Sequence, residues 1–134
     1  MVAPLDLEAL RRVACDFADA RLVVLFGSVA RGRPAPWSDA DVGVSGLPFW
    51  RSLELGARVG ASLGREAHVV DLDAASDWLR YLVAREGVLL AAAPPDAWPR
   101  FRAEAALRWF DLAPIVARCA EGARRSLLEG AARG

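Results

Sequence analysis

Lysine, asparagine, glutamine and threonine are missing from all 134 residues of the chain. Every one of the 17 basic residues is therefore arginine, balanced by 17 acids to a formal net charge of zero. A balanced chain has no overall field to draw bulk nucleic acid or a membrane surface, and neither partner is expected. The missing residue types are read first as coding bias of a G+C-rich genome. Loss of the amides would also suit heat adaptation, whereas loss of lysine would not. Cysteine is nearly absent. Cys15 and Cys119 lie in apolar helical contexts without metal-ligand spacing, which predicts buried thiols, with redox use as the lesser alternative. No stretch approaches the roughly 18 apolar residues of a transmembrane helix. The opening MVAPLDLEAL has charges within its first eight residues and no apolar core, so no signal peptide and a cytoplasmic location are expected.

What is present is a globular composition, 54% hydrophobic and 25% charged, in a length that suits one domain over residues 1–134. Asp6 is placed to cap a helix whose Leu7, Leu10, Ala14 and Phe17 share a face. Leu22 to Phe26 is an unbroken apolar run, the pattern of a strand covered on both faces, and it ends in Gly27-Ser28. Arg31 to Pro36 reads as a loop, and Asp39 to Val44 as a second strand. A helix over Phe49 to Leu63, stopped by Gly64, is followed by a strand over Ala67 to Leu72. Ser76 caps a helix to Arg85, and Gly87 to Ala92 adds an edge strand. From Trp98 an amphipathic helix runs to Pro114, which is expected to interrupt it before a final helix to about Leu128. The prediction is one α/β (α+β) domain, a small mixed sheet flanked by helices, with the helices from about residue 98 as part of it.

The segment LFGSVARGRPAPWSDADVGV carries the chemistry. Asp39 and Asp41 are two apart on a predicted strand, so both carboxylates leave the same face with Cα atoms about 7 Å apart. Two acids so placed repel unless a cation lies between them, and Mg²⁺ takes one or two carboxylates together with substrate phosphates. A DxD alone is better explained by a solvated strand end. Upstream, Gly27 allows close backbone approach to a phosphate, Ser28 adds a hydroxyl, and Arg31 and Arg33 add positive charge. A phosphate cradle on one strand end with an acid pair on the next is far more specific than either half.

With Gly27-Ser28, ten residues, then Asp39-Ala40-Asp41, and with Ala30-Arg31-Gly32 and Ser38 between, the chain resembles the minimal nucleotidyltransferases of the polymerase-beta-like superfamily. These are antitoxin-type partners of helical HEPN toxins. The resemblance continues through LGREAHVVDLD, LRYLVAREGVLL and WPRFRAEAALRWFDL, nearly the whole chain. It implies the superfamily's fold, ATP as substrate, Mg²⁺ with Mn²⁺ as the alternative, and transfer of AMP to a hydroxyl, a HEPN tyrosine. It places Gly27, Ser28, Arg31 and Ser38 around the nucleotide, Asp39 and Asp41 on the metal, and Asp39, Asp41 and His68 in the catalytic set. A homo-oligomer is left open.

One position departs from the pattern. The family's third acid falls in a Val-Asp-Val-Val-Asp-Leu string, matched here by Ala67-His68-Val69-Val70-Asp71-Leu72. The only histidine stands where the acid is expected, and Asp71, three residues on, faces the other way. An imidazole suits Mn²⁺ or Zn²⁺ better than Mg²⁺, or serves as a base near neutral pH. A relic site is the competing reading. Trp37, just before Asp39, is a candidate base-stacker, while Trp50, Trp78, Trp98 and Trp109 read as core or interface anchors. Three functions compete: protein nucleotidyltransferase, binding-only antitoxin, and small-molecule nucleotidyltransferase, for which the chain is short.

Overall fold

A computed structural model describes residues 5–133. The first four residues and Gly134, which belong to the leader and boundary readings above, lie outside that range. The elements run α1 (Leu7–Cys15), β1 (Leu22–Phe26), α2 (Gly27–Ala30), β2 (Ala40–Ser45), α3 (Phe49–Leu63), β3 (Ala67–Asp71), α4 (Asp77–Glu86), β4 (Val88–Ala92) and α5 (Ala97–Arg133). Local chemistry sets several ends. Asp6 accepts from the Ala9 amide, and Ser76 accepts from Leu79. Each satisfies a helix-end donor that has no partner within the helix. Gly64 ends α3 in the left-handed region at φ 67°, where a Cβ would be strained.

The four strands form one sheet in the order β3-β2-β1-β4. β1 is antiparallel to both neighbours, and β2 is parallel to β3, so the sheet is mixed. The apolar run of β1 has no alternation because both of its faces are covered. Val23 and Leu25 join Leu10, Phe17, Val42, Leu55 and Val59 in one core, under α1 and α3. Leu22, Val24 and Phe26 join Leu72, Val83, Phe101 and Ala105 in the other, under α4 and α5. Burial on both sides of a central strand is what makes Leu22–Phe26 apolar throughout. This is a small α+β domain, as the residue pattern predicts.

Four expectations need correction. Pro114 does not split the C-terminal helix, because α5 is continuous from Ala97 to Arg133. Proline removes one backbone donor, and at this exposed stretch water can satisfy the carbonyl left behind. Cys15 and Cys119 are exposed rather than buried. Cys15 follows the buried Ala14 onto the outer side of α1, and Cys119 lies on α5 beyond its packed turns around Phe101 and Ala105. The second strand starts at Ala40, so Asp39 is the last loop residue and not a strand residue. Trp50 and Trp78 are exposed, so neither is a core anchor, while Trp98 packs against the second core.

Candidate active site

The site forms where β1 ends, β2 begins and β3 begins. Antiparallel pairing sets Phe26 opposite Asp41, and parallel pairing sets Asp41 opposite His68. Gly27, at φ 78°, turns the chain out of β1 into the single turn of α2. A Cβ added at Gly27 would collide with the Asp41 carboxylate, which therefore lies directly against the glycine backbone. Strand pairing across the sheet thus brings the phosphate-cradle candidate and the second acid into contact. On the other side of Asp41, His68 Nδ1 approaches Oδ1 at 3.6 Å. That imidazole is two-thirds exposed, while the Asp41 side chain is 30% exposed.

Burial pushes the Asp41 carboxyl above its ordinary range, opposed first by His68. Asp39 adds to the rise through like charge, and Arg31 opposes it. The two acids therefore sense one another, although Asp39 is exposed and Asp41 half-buried. A half-buried carboxylate beside a second acid fits a hard divalent cation, which takes one or two carboxylates and fills its other positions with water or phosphate oxygens. Among the described residues no group of three His, Cys, Asp or Glu side chains gathers around one point. The candidate donors are the pair of acids Asp39 and Asp41, with His68 beside Asp41 in place of a third acid.

The other candidate residues are placed with less uniformity. Among the described residues the Ser28 hydroxyl has no hydrogen-bond partner, and its carbonyl accepts from Arg33. Arg31 borders the site but is held by Glu86 of α4, with Nη1 2.7 Å from Oε2. The Ser38 hydroxyl is turned into its own loop, accepting from the Ala35 amide at 3.0 Å. Arg65 clamps that loop by donating to the carbonyls of Ser38 and Ala35. Trp37 projects into solvent at 84% exposure. Asp71 is taken up by the following turn, where it accepts from the Asp73 amide. Glu86 and Arg65 escaped sequence reasoning because both act across long stretches of chain, with no local spacing to mark them.

The family model for polymerase beta nucleotidyltransferases matches residues 8–95, which include every residue of this constellation. The chain belongs to that nucleotidyltransferase family. No curated protein matches it by sequence. Among solved structures it is similar to a chain of a toxin–antitoxin structure with AMP-PNP, at 22% identity and TM-score 0.73, covering 90% of this chain and 99% of that one. A second likeness is to a chain of the complex of a tri-AMPylated Shewanella oneidensis HEPN toxin with its MNT antitoxin. There the identity is 19%, the TM-score 0.65, and the coverage 89% and 99%. A third, described as a minimal nucleotidyltransferase, shares 32% identity over 64% of this chain and 97% of that one, with TM-score 0.51. At these identities the first two likenesses establish the fold, and this nucleotidyltransferase shares it.

Proposed function

We propose that this nucleotidyltransferase transfers AMP from ATP to a hydroxyl of a polypeptide, a tyrosine of a HEPN toxin, and so acts as an antitoxin in the cytoplasm. The observation that carries the reading is the contact between Asp41 and Gly27, an acid set directly against the backbone turn that leaves β1. Ser28 offers a hydroxyl with no partner among the described residues beside that turn, and Arg31, paired with Glu86, lies at its border. Transfer would form a bond from the acceptor oxygen to the α-phosphorus and release pyrophosphate, the hydroxyl proton leaving to the acid pair or to water. Asp39 and Asp41 would hold Mg²⁺ or Mn²⁺, which when bound neutralises charge on the phosphates. The chain's own contribution is to position the triphosphate and to exclude alternatives to in-line attack. The full chain, α5 included, is read as one nucleotidyltransferase unit.

The placement of His68 favours a second reading, an antitoxin that neutralises its partner by binding with little or no chemistry. An imidazole beside Asp41 supplies neither the charge nor the hard oxygen of a carboxylate. Transfer of label from α-³²P-ATP to a co-expressed helical HEPN partner separates the two. Labelling that disappears with Asp41→Ala supports transfer. A stable, toxin-silencing complex without any labelling supports binding alone.

A further inference from the structure

β3 is an edge strand, and among the described residues no strand pairs with its outer side. The Glu66 carbonyl accepts from Ala40, and the Leu72 amide donates to Val44 of β2. That phase turns the backbone groups of His68 and Val70 toward β2 and those of Ala67, Val69 and Asp71 outward. The Asp71 carbonyl is taken by Ala74. Among the described residues nothing takes the N–H and C=O of Ala67 and Val69 or the N–H of Asp71.

These groups border a groove of about 370 Å³ between β3 and α3, with Phe49, Leu53 and Ala57 on the helix side. Phe49 and Leu53 are exposed at 78% and 59%, an apolar rim with no covering element among the described residues. Gly56 lets α3 close on β3 at the floor of this groove. A Cβ at Gly56 would press on Val69 at 3.0 Å and stand 3.8 Å from the Ala67 carbonyl. A second hollow that shares Gly56, Ala57, Ala67 and His68 with this groove reaches Asp39 of the candidate active site.

We propose that this edge is the docking track for the acceptor, an extended polypeptide segment that pairs with β3 as a fifth strand and carries its hydroxyl past His68. The proposal rests on the nucleotidyl-transfer reading and adds how the acceptor is held. Unpaired strand donors and acceptors are matched by another extended backbone, and alternate side chains of that strand fall on the apolar rim. Nucleic acid is a poor occupant, because no arginine lines the groove beside β3 and the nearby Arg65 is spent on loop carbonyls.

The test uses the full chain and a dye-labelled peptide of alternating valine and serine with one central tyrosine. On peptide binding, the Ala67 and Val69 amides should gain protection from hydrogen exchange by NMR, while those of His68 and Val70, already turned to β2, change little. Val69→Pro deletes one outward donor and leaves the β2 ladder intact, so it should raise the peptide Kd about tenfold, against less than about threefold for Val69→Ala. If Val69→Pro does not fold, Leu53→Arg on the exposed rim should give a similar loss. No peptide binding, binding without protection at Ala67 and Val69, or protection of the same amides by a single-stranded oligonucleotide instead of the peptide would each overturn the proposal. Calorimetry of ATP with Mg²⁺ on the wild type keeps the two readings apart. Failure to bind ATP removes the transfer reading and leaves the amide result to decide the β3 edge.

Discussion

Gly27 should be the least replaceable residue of the site, and Gly27→Ala measures why. Its φ of 78° puts an alanine in the left-handed region, at a cost of about 1–2 kcal/mol. The new methyl would also meet the Asp41 carboxylate, which has to leave its rotamer for about 0.5–1.5 kcal/mol more. The expected loss in urea unfolding is therefore about 1.5–3.5 kcal/mol in the wild-type background. In an Asp41→Ala background the collision disappears, because the Asp41 Cβ would be 3.4 Å from the new methyl, an ordinary contact. Only the backbone strain remains, so Gly27→Ala should cost about 1–2 kcal/mol there. The double-mutant cycle isolates the difference, a coupling of about 0.5–1.5 kcal/mol. A coupling of zero within about 0.3 kcal/mol would refute the placement of Asp41 against Gly27, and with it the geometric basis of the site.

The double change Asp39→Ala/Asp41→Ala should abolish the part of ATP affinity that depends on Mg²⁺ or Mn²⁺, read by calorimetry, while folding survives because two mutually repelling acids are removed. His68→Asp should raise nucleotidyl transfer with Mg²⁺ at least about tenfold, some 1.4 kcal/mol of barrier, whereas His68→Ala should change it little. Loss of robust activity in His68→Ala would instead make the imidazole a working base or ligand. Asp19 is held below the usual carboxylate range by its hydrogen bond to Arg51, so that pair stabilises the fold above the unfolded aspartate pKa and stops doing so as pH falls through the lower native one. Thermal melts of wild type and Asp19→Asn should accordingly differ at neutral pH and converge below about pH 4, and a gap that persists in acid would contradict this.

Much of the architecture is written locally. Helix caps at Asp6 and Ser76, the stop at Gly64 and the unbroken run Leu22–Phe26 each state their role through one residue's backbone or side-chain chemistry. The two-residue spacing of Asp39 and Asp41 predicts a shared strand face, whereas Asp39 precedes the strand. Other features depend on which elements become neighbours, and no local pattern encodes that. Pro114 carries a strong local signal against a helix, yet α5 continues through it along an exposed stretch, where water can satisfy the carbonyl left without a donor. Cys15 and Cys119 look apolar from their neighbours in sequence but sit on the uncovered sides of their helices. Arg31 is bound to Glu86 and Ser38 to its own loop, partnerships set by packing at long and short range. Asp41 meets Gly27 only because β1 and β2 pair antiparallel, and meets His68 only because β2 and β3 pair parallel. The residue types of the site are legible along the chain, whereas their contact comes from strand register, a long-range outcome of how two apolar cores close on opposite faces of one sheet.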